Sequence, residues 1–340
     1  MTVPLSPGEE LLSTLDFERA RAAVTGVARV TPLMEDAGLT ARVGRRVLLK
    51  LESLQVTGSF KVRGAASRLA GLGPAERRAG VVACSSGNHG RAVAWVAGRL
   101  GIPATVCVPD WVDPVKLEGI RASGAEAVLA GPTFDEAEAH ALELARASGR
   151  PYVSAYDDPW VISGQGTLAL EILDALDEPP AAVLAPLSGG GLIGGIAGAL
   201  RRRLGVGAPP TVAVTAERAA VMLASLRAGH PVELPEEDTV AGALAGGIGP
   251  DNRYSFTLVR DLVSEHVVVS EAEVRRAMAY AFRELHLVVE GGGATALAAL
   301  LAGRWRPPEG ARGAVVVVVS GGNVALPTLA SVLTDPHPDL

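Results

Sequence analysis

Lys61 lies in the run Ser59-Phe60-Lys61-Val62-Arg63-Gly64-Ala65, just past the apolar, strand-like stretch Val47 to Glu52. A lone lysine in an arbitrary chain is far more often a solvated surface residue than a nucleophile or base. Three later segments, each reading as strand, loop, helix, change that balance. Ser85-Ser86-Gly87-Asn88-His89-Gly90 follows Val81 to Cys84. Backbone N–H groups at a helix start, with two hydroxyls and an amide nearby, make a carboxylate pocket. Ser188-Gly189-Gly190-Gly191-Leu192-Ile193-Gly194-Gly195 follows Val183 to Leu187. Its glycines let the backbone close on a phosphate, and the helix from Leu192 aims its positive dipole end at the anion. Ser320-Gly321-Gly322-Asn323 comes directly after the valine run Val315 to Val319, and a hydroxyl at the carboxyl end of a buried strand can hydrogen-bond a ring nitrogen in a dry site. Taken singly, these loops read equally well as an N-cap, a glycine-rich packing turn and a helix cap. The second lacks the Walker lysine and the dinucleotide spacing.

Together, a lysine beside a Phe and three anion-cradling loops are what a chain needs to hold a phosphorylated aldehyde as a Schiff base, and pyridoxal 5'-phosphate is that aldehyde. The elements that must position these groups are legible from Gly80 onward. Strands are expected at Val81 to Cys84, Ala104 to Val108, Ala127 to Ala130 and Tyr152 to Ser154, with helices at Gly90 to Gly101, Pro114 to Ser123 and Thr133 to Ser148 between them. A second series follows, with strands at Ala182 to Leu187, Thr211 to Val214, His266 to Val269 and Ala314 to Val319. Alternation of this kind predicts an α/β protein with mostly parallel sheets. The segment before Gly80 is expected to pack with the second series. Residues 80–157 then form a small domain inserted in a large one of residues 1–79 and 158–340, with the ligand in the cleft between them.

The chain has 340 residues, 48% apolar and 20% charged, with a formal net charge of −6, as an ordinary globular protein does. The nearest thing to a basic block, Arg201-Arg202-Arg203, suits the last turn of a helix, so nucleic acid is not an expected partner. The apolar runs have strand length, far short of a bilayer span, and Met1 to Glu10 has no apolar signal core. Cys84 and Cys107 sit in strand-like contexts and are expected to be buried free thiols in a reducing compartment, the cytoplasm. Two cysteines without companions, and histidines without mutual spacing, give no metal site.

With Ser163-Gly164-Gln165-Gly166-Thr167, Asp16-Phe17-Glu18-Arg19-Ala20 and Thr31-Pro32-Leu33 added, the ordered runs resemble the threonine dehydratase and serine racemase family of fold-type-II pyridoxal-phosphate enzymes over nearly the whole chain. The resemblance implies a tryptophan synthase β-like fold, two open twisted mostly parallel sheets flanked by helices. It implies Lys61 as the Schiff-base lysine, Phe60 as the neighbour stacked on the ring, and Asn88 as the partner of the cofactor's phenolic oxygen. Gly189, Gly190, Gly191 and Leu192 would cradle the phosphate and Ser320 would face the pyridine nitrogen. Ser85, Ser86, Gly87, Asn88 and His89 would surround the substrate carboxylate, and Glu290 resembles the family's acidic residue near the ring. The implied reaction is β-elimination from a 3-hydroxy amino acid such as threonine or serine, with Lys61 taking the Cα proton, to give a 2-oxo acid and ammonia. A neutral hydroxyl at Ser320 does not keep the ring nitrogen protonated as a carboxylate would, which favours prompt loss of the leaving group.

Alternatives stay open at this point. In racemases of the family a serine at the place of Ser86 is the second acid–base group, so racemisation is the rival within the fold; β-replacement and a non-catalytic cofactor binder are others. The metal site of some members has acidic residues where this chain has Thr215 and Val221, so no divalent metal is expected, with Glu217 a surface carboxylate. The chain ends shortly after its last loop, without the regulatory domain of biosynthetic threonine dehydratases, so isoleucine feedback is not expected. Leu244-Ala245-Gly246-Gly247-Ile248-Gly249, Asp251-Asn252-Arg253-Tyr254 and Ala155-Tyr156-Asp157-Asp158-Pro159 resemble the dehydratases of hydroxyectoine utilisation. A homodimer or larger homo-oligomer is expected.

Overall fold

Valines at Val315–Val319 make a strand buried on both faces, and such a run is stable only between other strands and beneath helices on either side. A computed structural model, which describes residues 5–85, 87–110, 112 and 114–335, places it there. The strands are β1 (Leu33–Glu35), β2 (Val47–Leu51), β3 (Val81–Cys84), β4 (Ala104–Val108), β5 (Glu126–Leu129), β6 (Ala182–Pro186), β7 (Thr211–Ala216), β8 (Glu265–Val269) and β9 (Val315–Val319). Six of them form a sheet in the order β1-β2-β9-β6-β7-β8 and three form a second, β3-β4-β5. All pairings are parallel except β1 with β2. Helices cover both sheets, which is the expected α/β architecture.

The β2–β9 register sets Leu51 opposite Val319, so the chain leaving β2 runs beside Ser320. A bridge between Ser59 and Gly321 and a hydrogen bond from Phe60 N to Ser320 O at 3.1 Å continue that contact to the start of the helix Lys61–Ala70. This helix crosses the helix Pro159–Asp174 closely: a Cβ at Gly164 would stand 2.5 Å from Arg63 O. Its Val62, Ala65, Ala66 and Leu69 share an apolar cluster with Val81, Val93 and Val106 of the smaller sheet and its cover. The lysine's helix therefore lies at the seam between the sheets.

Tyr152 to Ser154, expected as a strand, contributes only the bridge between Val82 and Tyr152. Antiparallel β1 is an addition; three residues after Pro32 carry too little periodicity to announce a strand. Cys84 and Cys107 are register partners on β3 and β4, buried and free, and burial raises both thiol pKa values, that of Cys107 to about 11. No helix among the described residues is long and apolar enough to cross a membrane.

Candidate active site

The candidate groups converge on the carboxyl ends of β3, β6 and β9, where an open parallel sheet presents its loops. The groove lined by Arg45, Arg46, Asp177 and Glu178 opens at the opposite ends, before β2, β6 and β9, and belongs to another face of the molecule.

Lys61 is the first residue of its helix, half-buried, with Nζ donating to Ala155 O at 2.7 Å and lying 5.2 Å from the centre of the Phe60 ring. Burial lowers its pKa to about 8, against a smaller upward pull from the Glu290 carboxyl. An amine so placed is uncharged far more often near neutrality than a surface lysine. The helix is anchored underneath by a charge cluster that the sequence did not announce. Arg63 is 0% exposed and forks onto Glu52, also 0% exposed, with Nε to Oε2 and Nη2 to Oε1 both at 2.8 Å. It also donates to Glu171 Oε1 at 2.6 Å and Oε2 at 2.8 Å, to Thr167 Oγ1 at 3.2 Å and to Arg29 O at 3.3 Å, and Lys50 Nζ reaches Glu171 Oε2 at 2.6 Å. Two cations and two anions cancel in this pocket, which is how charges survive burial.

Asn88 opens the helix Asn88–Leu100, and its Nδ2 donates to Glu290 Oε1 at 2.6 Å. Glu290 is 8% exposed, precedes the helix Gly291–Leu301, and donates its own N–H to Gly321 O at 3.1 Å. Ser320, 4% exposed, closes β9 beside it. The Ser85 hydroxyl accepts from Gly87 N at 3.1 Å, shaping the turn that exposes the helix N-terminus. Ser86 lies outside the described residues. His89 is 3% exposed, and its Nε2–H donates to Val153 O at 2.8 Å while Nδ1 has no partner among the described residues. Burial, then the nearby Lys61 charge, bring its pKa to about 3 against the pull of the Val153 carbonyl. His89 is therefore neutral and ties the loop to the strand-like segment that also receives Lys61.

The glycine loop meets the same segment. A Cβ on Gly189 would stand 2.3 Å from Tyr156 Cγ and one on Gly191 2.6 Å from Tyr156 O, while Gly190 has φ +83°, a left-handed conformation that favours glycine. Gly191 starts the helix Gly191–Leu204; the Leu192 side chain turns into the core, leaving its backbone for the loop. Tyr156 Oη donates to Gly247 O at 3.5 Å. Asp157 accepts from Arg253 N, Tyr254 N and Ser255 N, each at 2.8 Å, capping the helix Ser255–Leu262. Thus the segment 153–157 links Lys61, the loop that ends at His89, the glycine loop at Gly189 to Gly191 and the glycine-rich run 245–249. Thr215 and Val221 are buried, with the Thr215 hydroxyl unpartnered, and no group of three or more metal-ligating side chains occurs among the described residues.

An amine of lowered pKa beside an aromatic ring, a glycine turn without room for side chains, and a neutral hydroxyl at a strand end fit pyridoxal phosphate. A family model described as "Pyridoxal-phosphate dependent enzyme" matches residues 24–321. An L-threonine ammonia-lyase of Thermotoga maritima is 36% identical over 92% of this chain and 76% of its own. Maize serine racemase superposes with a TM-score of 0.85 at 31% identity, covering 94% of this chain and 96% of that one. The processed form of threonine deaminase isoform 2 from Solanum lycopersicum gives 0.86 at 32% identity, with 97% and 89% covered. The chain belongs to the family of pyridoxal-phosphate dependent enzymes.

Proposed function

We propose that this enzyme is a lyase that removes the β-hydroxyl and the amine from a small 3-hydroxy amino acid such as threonine or serine, giving a 2-oxo acid and ammonia. The observation that carries the reading is Lys61, a half-buried amine of pKa about 8 anchored to Ala155 O at a site closed by the neutral Ser320. Pyridoxal phosphate, when bound, supplies the electron-withdrawing ring that makes the Cα–H of an attached amino acid acidic. Lys61 would hold the cofactor and, once released and uncharged, take that proton at Nζ. Phe60, Asn88, Glu290 and Ser320 would hold the ring, and the backbone of Gly189, Gly190, Gly191 and Leu192 the phosphate. The turn Ser85 to Asn88, at the positive end of its helix, would hold the substrate carboxylate. Tyr156 packs directly against Gly189 and Gly191 of the glycine loop. The relatives named for L-threonine ammonia-lyase and threonine deaminase support this reading.

The test is release of ammonia and 2-oxo acid from L-threonine, L-serine and 3-hydroxyaspartate by the cofactor-loaded protein, with Lys61→Ala as control. Release that vanishes in the variant is expected. An intact visible cofactor band with no release from any of these would refute the assignment, and a D-enantiomer formed instead would favour the racemase reading, supported by the maize neighbour. We further infer a dehydratase of hydroxyectoine utilisation, because Asp157 binds the run Arg253 to Ser255 and so joins two of the segments that resemble that subgroup. Including amino acids derived from hydroxyectoine in the panel decides it. A cytoplasmic homo-oligomer completes the proposal, supported by the two buried free thiols and the small-residue helices.

A further inference from the structure

We propose that Asn323 is a positioning residue that fixes the Asn88 amide so that it presents an N–H, and not its carbonyl oxygen, to the phenolic oxygen of the cofactor. The inference rests on the assignment of Asn88 to that oxygen. Asn323 Nδ2 donates to Thr57 O at 2.9 Å and to Asn88 Oδ1 at 2.6 Å, and its Oδ1 accepts from Arg91 Nη1 at 3.1 Å. Each partner discriminates: carbonyl oxygens only accept and a guanidinium only donates. Turning the Asn323 amide over would set oxygen against oxygen at two contacts and N–H against N–H at the third. Its space is fixed as well, since a Cβ on Gly58 would stand 2.4 Å from Asn323 Oδ1.

The orientation of Asn88 follows from that of Asn323. With Oδ1 taken by Asn323, Nδ2 turns toward Glu290 Oε1 at 2.6 Å and still carries a second hydrogen. A donor aimed at an oxygen favours its anionic form. Arg91 lies one turn beyond Asn88 on the same helix, so the cation that orients Asn323 moves with the amide it serves. Side chains thereby join the loop after β9 to the helix that follows β3.

The experiment compares Asn323→Asp with Asn323→Ala in cofactor-loaded protein, reading the cofactor dissociation constant and the pH midpoint of the visible band without substrate. The carboxylate has the shape of the amide but places acceptors against Thr57 O and Asn88 Oδ1. Asn323→Asp should therefore loosen the cofactor by about tenfold or more, exceed the effect of Asn323→Ala, and move the midpoint upward by about one unit. A space-filling role predicts the reverse order and an unmoved midpoint, and that result overturns the proposal. If Asn323→Asp does not fold, Arg91→Ala decides: a smaller upward shift supports the proposal and no shift overturns it. Because substrate is absent, failure here is separate from failure of the elimination assay.

Discussion

Replacing Arg63 by Met probes the support of the reactive lysine without touching it. Arg63 carries both N–H contacts to fully buried Glu52 and two more to Glu171, so its loss leaves the pocket with two carboxylates and only Lys50. Removing one partner of a buried pair costs about 3–5 kcal/mol, which for a large domain lowers the melting temperature by on the order of 10 °C. Calorimetry on apoprotein measures it. The second arm is Arg63→Met with Glu52→Gln, which returns the pocket to neutrality and should recover most of the loss. In the wild type Glu52 is held below the ordinary carboxylate range: burial raises it, but the Arg63 charge and hydrogen bonds outweigh that. A depressed carboxyl contributes stability above its unfolded value that is lost as pH falls through the folded one. The single variant lacks that contribution, so its deficit should shrink on acidification. A loss under about 1 kcal/mol, or a double variant no more stable than the single, would refute charge balance as the role of Arg63.

The pKa of about 8 at Lys61 predicts that the rate of cofactor attachment to apoprotein, followed by its visible band, rises about tenfold per pH unit below that value and levels above it; a rate still climbing at the pKa of an ordinary lysine would contradict the assignment. Gly189→Ala sets a Cβ 2.3 Å from Tyr156 Cγ and so displaces the segment that receives Lys61. Cofactor retention through dialysis should fall by about tenfold or more, and unchanged retention would show that the ring moves aside freely.

The chemistry was legible because it is written locally: Lys61 and the three loops each lie at a strand end or helix start that short-range patterns announce. Groups whose meaning depends on distant partners were not legible. Lys50 and Glu52 lie in a stretch that announces only a strand, yet both are buried, since Glu171 and Arg63 arrive from elsewhere to neutralise them. His89, expected among the groups around the substrate carboxylate, is neutral and buried with its Nε2–H on Val153 O, on a segment expected as a strand. Nothing local says that Tyr156 will cover Gly189 or that Asn323 will reach Asn88. The resemblance to a family drew attention to the runs that hold His89, Tyr156 and Asn323 without disclosing the hydrogen bonds that orient them.

The pairing of β2 with β9 also has a temporal side. β2 leads into Lys61 early in the chain, whereas β9 leaves the ribosome after every other strand among the described residues, with Val47 opposite Val315. During synthesis β2 can find β1, but its other edge stays open until the C-terminal valines emerge. The smaller sheet, whose strands and crossovers lie close together in the chain, can form meanwhile. The reactive amine is thus made early and assembled late, so a nascent or truncated chain lacking β9 would carry the lysine without the Ser320 end of its site.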